Sequence, residues 1–174
     1  MSTKQIVQIG TPIIRACAIN VRDFRSAEVR RTIKDLVDTM RATNLVGMAA
    51  PQIGKSWRIF VGEIRTTKFR KDLVPDELRI FVNPIILKHS KRLESGYEGC
   101  GSVAHAGLFG PVKRYDSVEV SALDAKGLPF TLKAKGMLAR IIQHELDHLD
   151  GILFIDKVNT KKLLDRDIYL KTRK

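Results

Sequence analysis

The chain has 174 residues, 44% hydrophobic and 29% charged, the composition of a globular protein able to bury its own core. No apolar run approaches the roughly 20 residues of a membrane span, and a formal charge of +12 favours polyanionic surroundings: ribosomal RNA, other nucleic acid or a membrane surface. The opening "MSTKQIVQIGTP" has neither a signal peptide's apolar core nor the Arg/Ser-rich character of a transit peptide. It reads as an intracellular chain, or one already processed. Two cysteines, Cys17 and Cys100, fit a reducing compartment better than a disulfide framework. Cys17, in "RACAINV", reads as a small buried side chain.

No internal repeat, low-complexity tract or linker interrupts the chain, so one domain over 1–174 is expected. Residues 26–43, "SAEVRRTIKDLVDTMRAT", repeat apolar side chains at helical spacing through Val29, Ile33, Leu36, Val37 and Met40. Strands are expected at 57–64 ("WRIFVGEI"), 79–87 ("RIFVNPIIL"), 117–124 ("SVEVSALD") and 129–136 ("PFTLKAKG"). The last two are joined as a hairpin through "DAKG". The charged span 65–77 reads as a surface loop. A helix over about 136–150 carries Met137, Ile141, His144 and His148 near one face, and Ile142 and Leu149 predict protein around it on several sides. A further helix with a basic end is expected within 159–174. Helices and antiparallel strands that do not alternate define an α+β class. The strands are expected to pack around a central helix, with an amphipathic helix before them and a C-terminal helix after.

That central helix contains "QHELDH". Histidines at i and i+4 leave one face of a helix together, so His144 and His148 can grip one divalent cation. Glu145, beside the first histidine, is placed to move the proton of a water molecule. A catalytic centre needs a third protein ligand. No glutamate follows Glu145 and no histidine follows His148, which leaves Asp156, Asp165 and Asp167 downstream. Upstream, Cys100 lies between glycines in "GYEGCGS", where backbone can approach a ligand closely. A Cys/His/His set suits zinc or ferrous iron, and ligand chemistry alone favours zinc. In "LVGMAAPQIG" (45–54), small residues permit close backbone approach and Gln52 offers an amide donor. A buried turn with Gln52 bound to a backbone carbonyl explains the same stretch.

Together "GMAAPQ" (47–52), "EGCGS" (98–102) and "QHELDHLDG" (143–151) resemble the three motifs of the peptide deformylase family, in its order. "IVQIGTPIIRACAINV", "FVNP" and "VKRYDSVEVSALDAKG" extend the resemblance over roughly 5–158. It implies hydrolytic removal of the formyl group from N-formylmethionine of nascent polypeptides, by hydroxide formed on a metal. Cys100, His144 and His148 are then the ligands and Glu145 the acid/base. Gln52 and the Gly101 N–H face the oxyanion. Backbone near Val46 and Gly47 pairs with the extended substrate, and Val46, Met137 and Ile141 line the methionine pocket. The resemblance shifts the expected metal to Fe(II), with zinc, nickel or cobalt as other occupants. It sets the chain in a bacterial cytoplasm, or an organellar matrix once a leader is removed.

The sequence departs from the family's pattern at Leu45, where glycine is usual, and at Gly101, where leucine or glutamate is usual. It also departs in the 103–111 loop, which puts Phe109 near a customary arginine. His105 in that loop reads as solvent-exposed, with an extra ligand or a substrate contact as alternatives, and His89 as a surface residue. The competing readings are a zinc peptidase and a non-catalytic ribosome- or RNA-associated paralogue. Lys161, Lys162, Arg166, Lys171, Arg173 and Lys174 form a basic end suited to ribosomal RNA.

Overall fold

The computed structural model describes residues 3–66 and 74–172. Two antiparallel sheets enclose one helix. Helix α1 (Ala27–Ala42) starts on Ser26, whose side chain accepts from the Glu28 N–H. It buries Val29, Ile33, Leu36 and Met40 of the predicted stripe and leaves Val37 half-buried. The helix ends where the Thr43 hydroxyl donates to the Thr39 carbonyl, and Asn44 at φ 57° turns the chain into β1 (Gly47–Ala49). Strand β2 (Ile59–Gly62) is shorter than the predicted 57–64, and every residue in it is buried. Its Ile59 and Val61 pack with the apolar stripe of α1. Phe60 joins Ala139, Ile142 and Leu146 of helix α2 (Gly136–Leu149), so the strand lacks alternation because both its faces are covered.

Strand β3 (Arg79–His89) bends at Asn83, φ 50°. The Asn83 amide accepts from the Val21 N–H at 2.8 Å and donates to the Val21 carbonyl at 2.9 Å. Strands β4 (Leu93–Gly99) and β5 (Leu108–Tyr115) form a ladder that the sequence reading missed. Glycines and Pro111 blunt the strand signal there. Strands β6 (Ser117–Leu123) and β7 (Pro129–Lys135) make the predicted hairpin, its turn fixed by Asp124 Oδ1 accepting from the N–H groups of Lys126 and Leu128. The first sheet runs β1-β2-β3-β6-β7. The second runs β4-β5-β8, where β8 is Leu164–Asp165.

Gly136 takes φ +59°, which lets the chain pass from β7 straight into α2. One face of α2 lies on the first sheet through Ala139, Ile142, Leu146 and Leu149. The other meets the second sheet: Gln143 accepts from the Tyr115 N–H and donates to the Tyr115 carbonyl.

The C-terminal segment is not the single helix expected over 159–174. A 3-10 turn (Thr160–Lys162) precedes β8, and helix α3 covers Arg166–Lys171. Asn159 and Asp165 each accept from the N–H two residues on, which breaks the segment into two capped starts, and Leu164 pairs with Phe109. Most of the charged span 65–77 lies outside the described residues, as do Arg173 and Lys174. Cys17 is exposed rather than buried: the flanking Ala18 N–H bonds to the Leu149 carbonyl and Ala18 takes the buried place.

Candidate active site

Two elements bring the candidate ligands together. His144 and His148 leave α2 one turn apart, and Cys100 arrives from the end of β4. The ligand atoms of Cys100, His144 and His148 lie within 4.8 Å of one another. Cys100 Sγ is 3.1 Å from His148 Nε2. This set fits a tetrahedral cation such as zinc or ferrous iron, with one position left for water or substrate. Burial works to raise the Cys100 thiol, but the two imidazoles, His148 foremost, bring it down to about 5, and metal ligation requires the thiolate.

Asp156 is instead paired with Arg15, Asp165 caps α3, and neither belongs to the cluster, nor does Asp167. His105 is exposed and outside the cluster. His89 is an exposed residue stacked on Tyr115 at 3.6 Å.

Behind the Cys100, His144 and His148 cluster stands a charged network that sequence reasoning did not assign. His144 Nδ1 meets Glu98 Oε2 at 2.9 Å, which leaves Nε2 for a metal. Arg114 donates to both Glu98 oxygens, at 2.9 and 2.8 Å, and to Asp147 at 2.5 Å. Arg140 reaches Glu98 at 2.8 Å. Burial opposes ionisation of Glu98, yet Arg114 and His144 hold it well below the usual carboxylate range. Burial likewise opposes charge on His144, and Cys100 and Glu98 raise its pKa well above the ordinary value. Glu98 stands two residues before Cys100. The need of a ligating histidine for a carboxylate partner was the available signal.

Glu145 is 4% exposed, and its Oε2 has no hydrogen-bond partner among the described residues. Burial pushes its carboxyl up to about 7, against the pull of His144 and His148 and with help from Cys100 and Glu98. Gly47 makes room for it: a Cβ there would stand 2.9 Å from Glu145 Cδ and 3.0 Å from Ile141 Cγ2, and closer still to Oε1. Gln52 is buried on the 3-10 turn after β1. Its Oε1 accepts from the Ala49 N–H at 2.8 Å, which turns Nε2 toward Cys100 Sγ (3.5 Å) and Ser102 Oγ (3.4 Å). The amide is thus fixed by backbone on one side and faces the cluster with its donor.

The loop after Cys100 is bound at both ends. Gln8 Nε2 donates to the Gly101 carbonyl, and its Oε1 accepts from the His105 N–H. Ala104, His105 and Ala106 all adopt positive φ, 48° to 58°, and Arg166 donates to the carbonyls of His105 and Ala106. Arg166 is therefore turned inward. Lys161, Lys162 and Lys171 remain exposed. The two departures at Leu45 and Gly101 meet in space: a Cβ at Gly101 would lie 3.1 Å from Leu45 Cδ1 and 3.1 Å from Ile6 Cδ1. Leu45 fills the volume that a side chain at position 101 would enter.

A cavity of about 160 Å³ opens on the cluster, lined by Val46, Gly47, Met137 and Ile141 beside Gln52, His144 and Glu145. All the predicted pocket residues meet there. β1 is the edge strand of its sheet, and Val46 and Gly47 border the cavity.

A helix-borne His/His pair with its own carboxylate, a thiolate between two antiparallel sheets and an open cavity define a hydrolase of the metal-dependent class. The polypeptide deformylase profile matches residues 3–163. The chain is 41% identical over 164 residues to peptide deformylase of Thermomicrobium roseum, covering 94% of this chain and 90% of that one. It is 36% identical to the mitochondrial peptide deformylase of Homo sapiens, over 90% of this chain and 68% of the other. A class I type b peptide deformylase from Acinetobacter baumannii, solved with Met-Ala-Ser bound, superimposes with a TM-score of 0.83 at 32% identity, covering 90% of this chain and 99% of that one. The chain belongs to the polypeptide deformylase family. It is a deformylating enzyme that acts on nascent polypeptides.

Proposed function

We propose that Glu145 is the acid/base of deformylation and that Cys100, His144 and His148 hold the divalent cation the reaction uses. The observation that carries this is a buried carboxylate with an unpartnered oxygen, one residue from a ligand and opposite a bare glycine. When bound, the cation lowers the pKa of a water molecule toward neutrality and polarises the formyl oxygen. Glu145 takes the proton of the attacking water and returns it to the leaving amine. Gln52 Nε2 and the Gly101 N–H donate to the oxyanion, each worth about 3 kcal/mol in comparable sites. Glu98 orients His144, and the two arginines keep Glu98 ionised.

The substrate is an N-formylmethionyl peptide added as a strand on the open edge of β1, at Val46 and Gly47. Its methionine enters the cavity beside Val46, Met137 and Ile141. The native metal is Fe(II), with zinc, nickel or cobalt as substitutes, and a thiolate ligand makes the site sensitive to oxidation. The 1–174 span works as one catalytic domain. Its place is a bacterial cytoplasm or an organellar matrix. No helix among the described residues is long and apolar enough to cross a membrane. The exposed Lys161, Lys162 and Lys171, with a net charge of +12, favour docking on ribosomal RNA near emerging chains. Loss of ribosome co-sedimentation on deleting 159–174 tests the docking.

The central test is formate release from a short formyl-Met peptide by protein loaded anaerobically with Fe(II), beside Glu145→Ala. Formate from the wild type alone is the expected result. Equal rates from both would remove Glu145 from the reaction.

A further inference from the structure

One wall of the cavity takes no part in the chemistry proposed above. Tyr97 on β4, Phe109 on β5 and Tyr169 on α3 line the same cavity as His144 and Glu145. Tyr169 stacks on Phe109 with ring centroids 4.3 Å apart and planes 13° from parallel. It meets Tyr97 at 5.3 Å and 32°. The consecutive strands β4 and β5 and the distant helix α3 therefore build one aromatic surface.

The surface is held from behind. The Phe109 ring lies over Gly99, where a Cβ would come within 2.5 Å of it. β8 pairs with β5 through Leu108–Asp165 and Phe109–Leu164, and Arg166 ties the start of α3 to the loop after Cys100. Tyr97 is 43% exposed although it touches Tyr169. Arg140, the guanidinium lining the cavity, is occupied by Glu98 and by the carbonyls of Glu94, Gly96 and Val112. The wall offers ring surface, and the neighbouring cation is already paired.

We infer that Tyr97, Phe109 and Tyr169 form a specificity subsite for the residues that follow formylmethionine, selective for an aromatic or branched apolar side chain. This rests on the deformylase reading. Successive side chains of an extended peptide alternate between faces, so residues beyond the methionine meet walls that the methionine leaves open. Val46 and Gly47, at β1 of the first sheet, line the same cavity as Tyr97, Glu98 and Gly99 of β4 in the second, and a peptide paired to β1 would run past the rings. The C-terminal segment thus helps choose the substrate, through Tyr169.

The test compares kcat/KM for formyl-Met-Ala-Ser with peptides carrying Phe or Asp at the second or third position. The enzymes are Fe(II)-loaded wild type, Tyr169→Ala, Tyr169→Phe and Phe109→Leu. The wild type should favour Phe over Ala by about five- to tenfold at one of these positions, the range of a ring–ring contact, and disfavour Asp. The preference should appear in KM, fall to near one in Tyr169→Ala, shrink in Phe109→Leu and survive in Tyr169→Phe. Should Tyr169→Ala not fold, Phe109→Leu carries the comparison. A Phe/Ala ratio near one in the wild type, or a ratio untouched by Tyr169→Ala and Phe109→Leu, overturns the subsite and leaves deformylation standing. No formate from any peptide overturns both.

Discussion

Replacing Gly47 with alanine separates positioning of the base from possession of it. The new Cβ would stand 2.9 Å from Glu145 Cδ, where ordinary contact begins at 3.4 Å, and closer still to Oε1. The carboxylate has to withdraw by on the order of 1 Å, a displacement that costs about 100-fold in rate when it misaligns a catalytic group. That equals about 2.7 kcal/mol of barrier. The loss of fold stability should be of similar size or smaller, because the atoms that must move are the end of one side chain and a methyl of Ile141. Overpacking of this kind costs about 1–3 kcal/mol. Cys100, His144 and His148 are untouched, so metal content should equal that of the wild type. The assay is formate release under saturating formyl-Met peptide, with bound metal measured on the same sample and a thermal melt alongside. A kcat within threefold of wild type, with metal bound, would refute the reasoning: Glu145 would then not act from the place it occupies against Gly47.

Three further outcomes follow from the same geometry. Gly101→Leu alone should lower activity and stability, since its side chain enters space filled by Leu45 and Ile6. Leu45→Gly should recover much of that loss, and a double-mutant cycle with zero coupling would deny that the two positions compensate. Glu98→Gln leaves buried Arg114 with Asp147 as its remaining carboxylate and His144 without its orienting carboxylate. It should cost about 1–3 kcal/mol in urea unfolding and weaken metal binding about tenfold or more. For Glu145 the folded pKa of about 7 stands above the ordinary 4.5, so the folded state holds the proton more tightly. Its stabilising contribution is full below about pH 4.5 and is lost as pH rises through 7. Chelator-treated wild type should therefore lose on the order of 3 kcal/mol relative to Glu145→Gln between pH 5 and 8, and parallel stability curves for the two would contradict the raised pKa.

The residues proposed as metal ligands, base, oxyanion donor and pocket could be singled out in the sequence because they stand in short local motifs, and the structure gathers them at one cavity. Helical spacing alone aims His144 and His148 the same way. The signals of α1, α2, β6 and β7 came from apolar periodicity, and that of β3 from apolar runs on both sides of Asn83 and Pro84. Strands β4 and β5 escaped because glycine and Pro111 interrupt the pattern, and their pairing rests on each other rather than on a side-chain signal. The C-terminal path escaped because Leu164 and Asp165 pair with β5 and Asp165 then caps a new helix, where composition alone favours one continuous helix. What the tertiary structure alone decided is which distant side chains share a volume. Glu98 reaches His144 only when β4 lies along α2, Leu45 meets Gly101 only when the segment before β1 and the Cys100 loop touch, and Tyr169 meets Phe109 only because β8 pins α3 to β5. Sequence spacing encodes direction within one element. Packing between elements, which depends on every residue of the core at once, sets the distances across them.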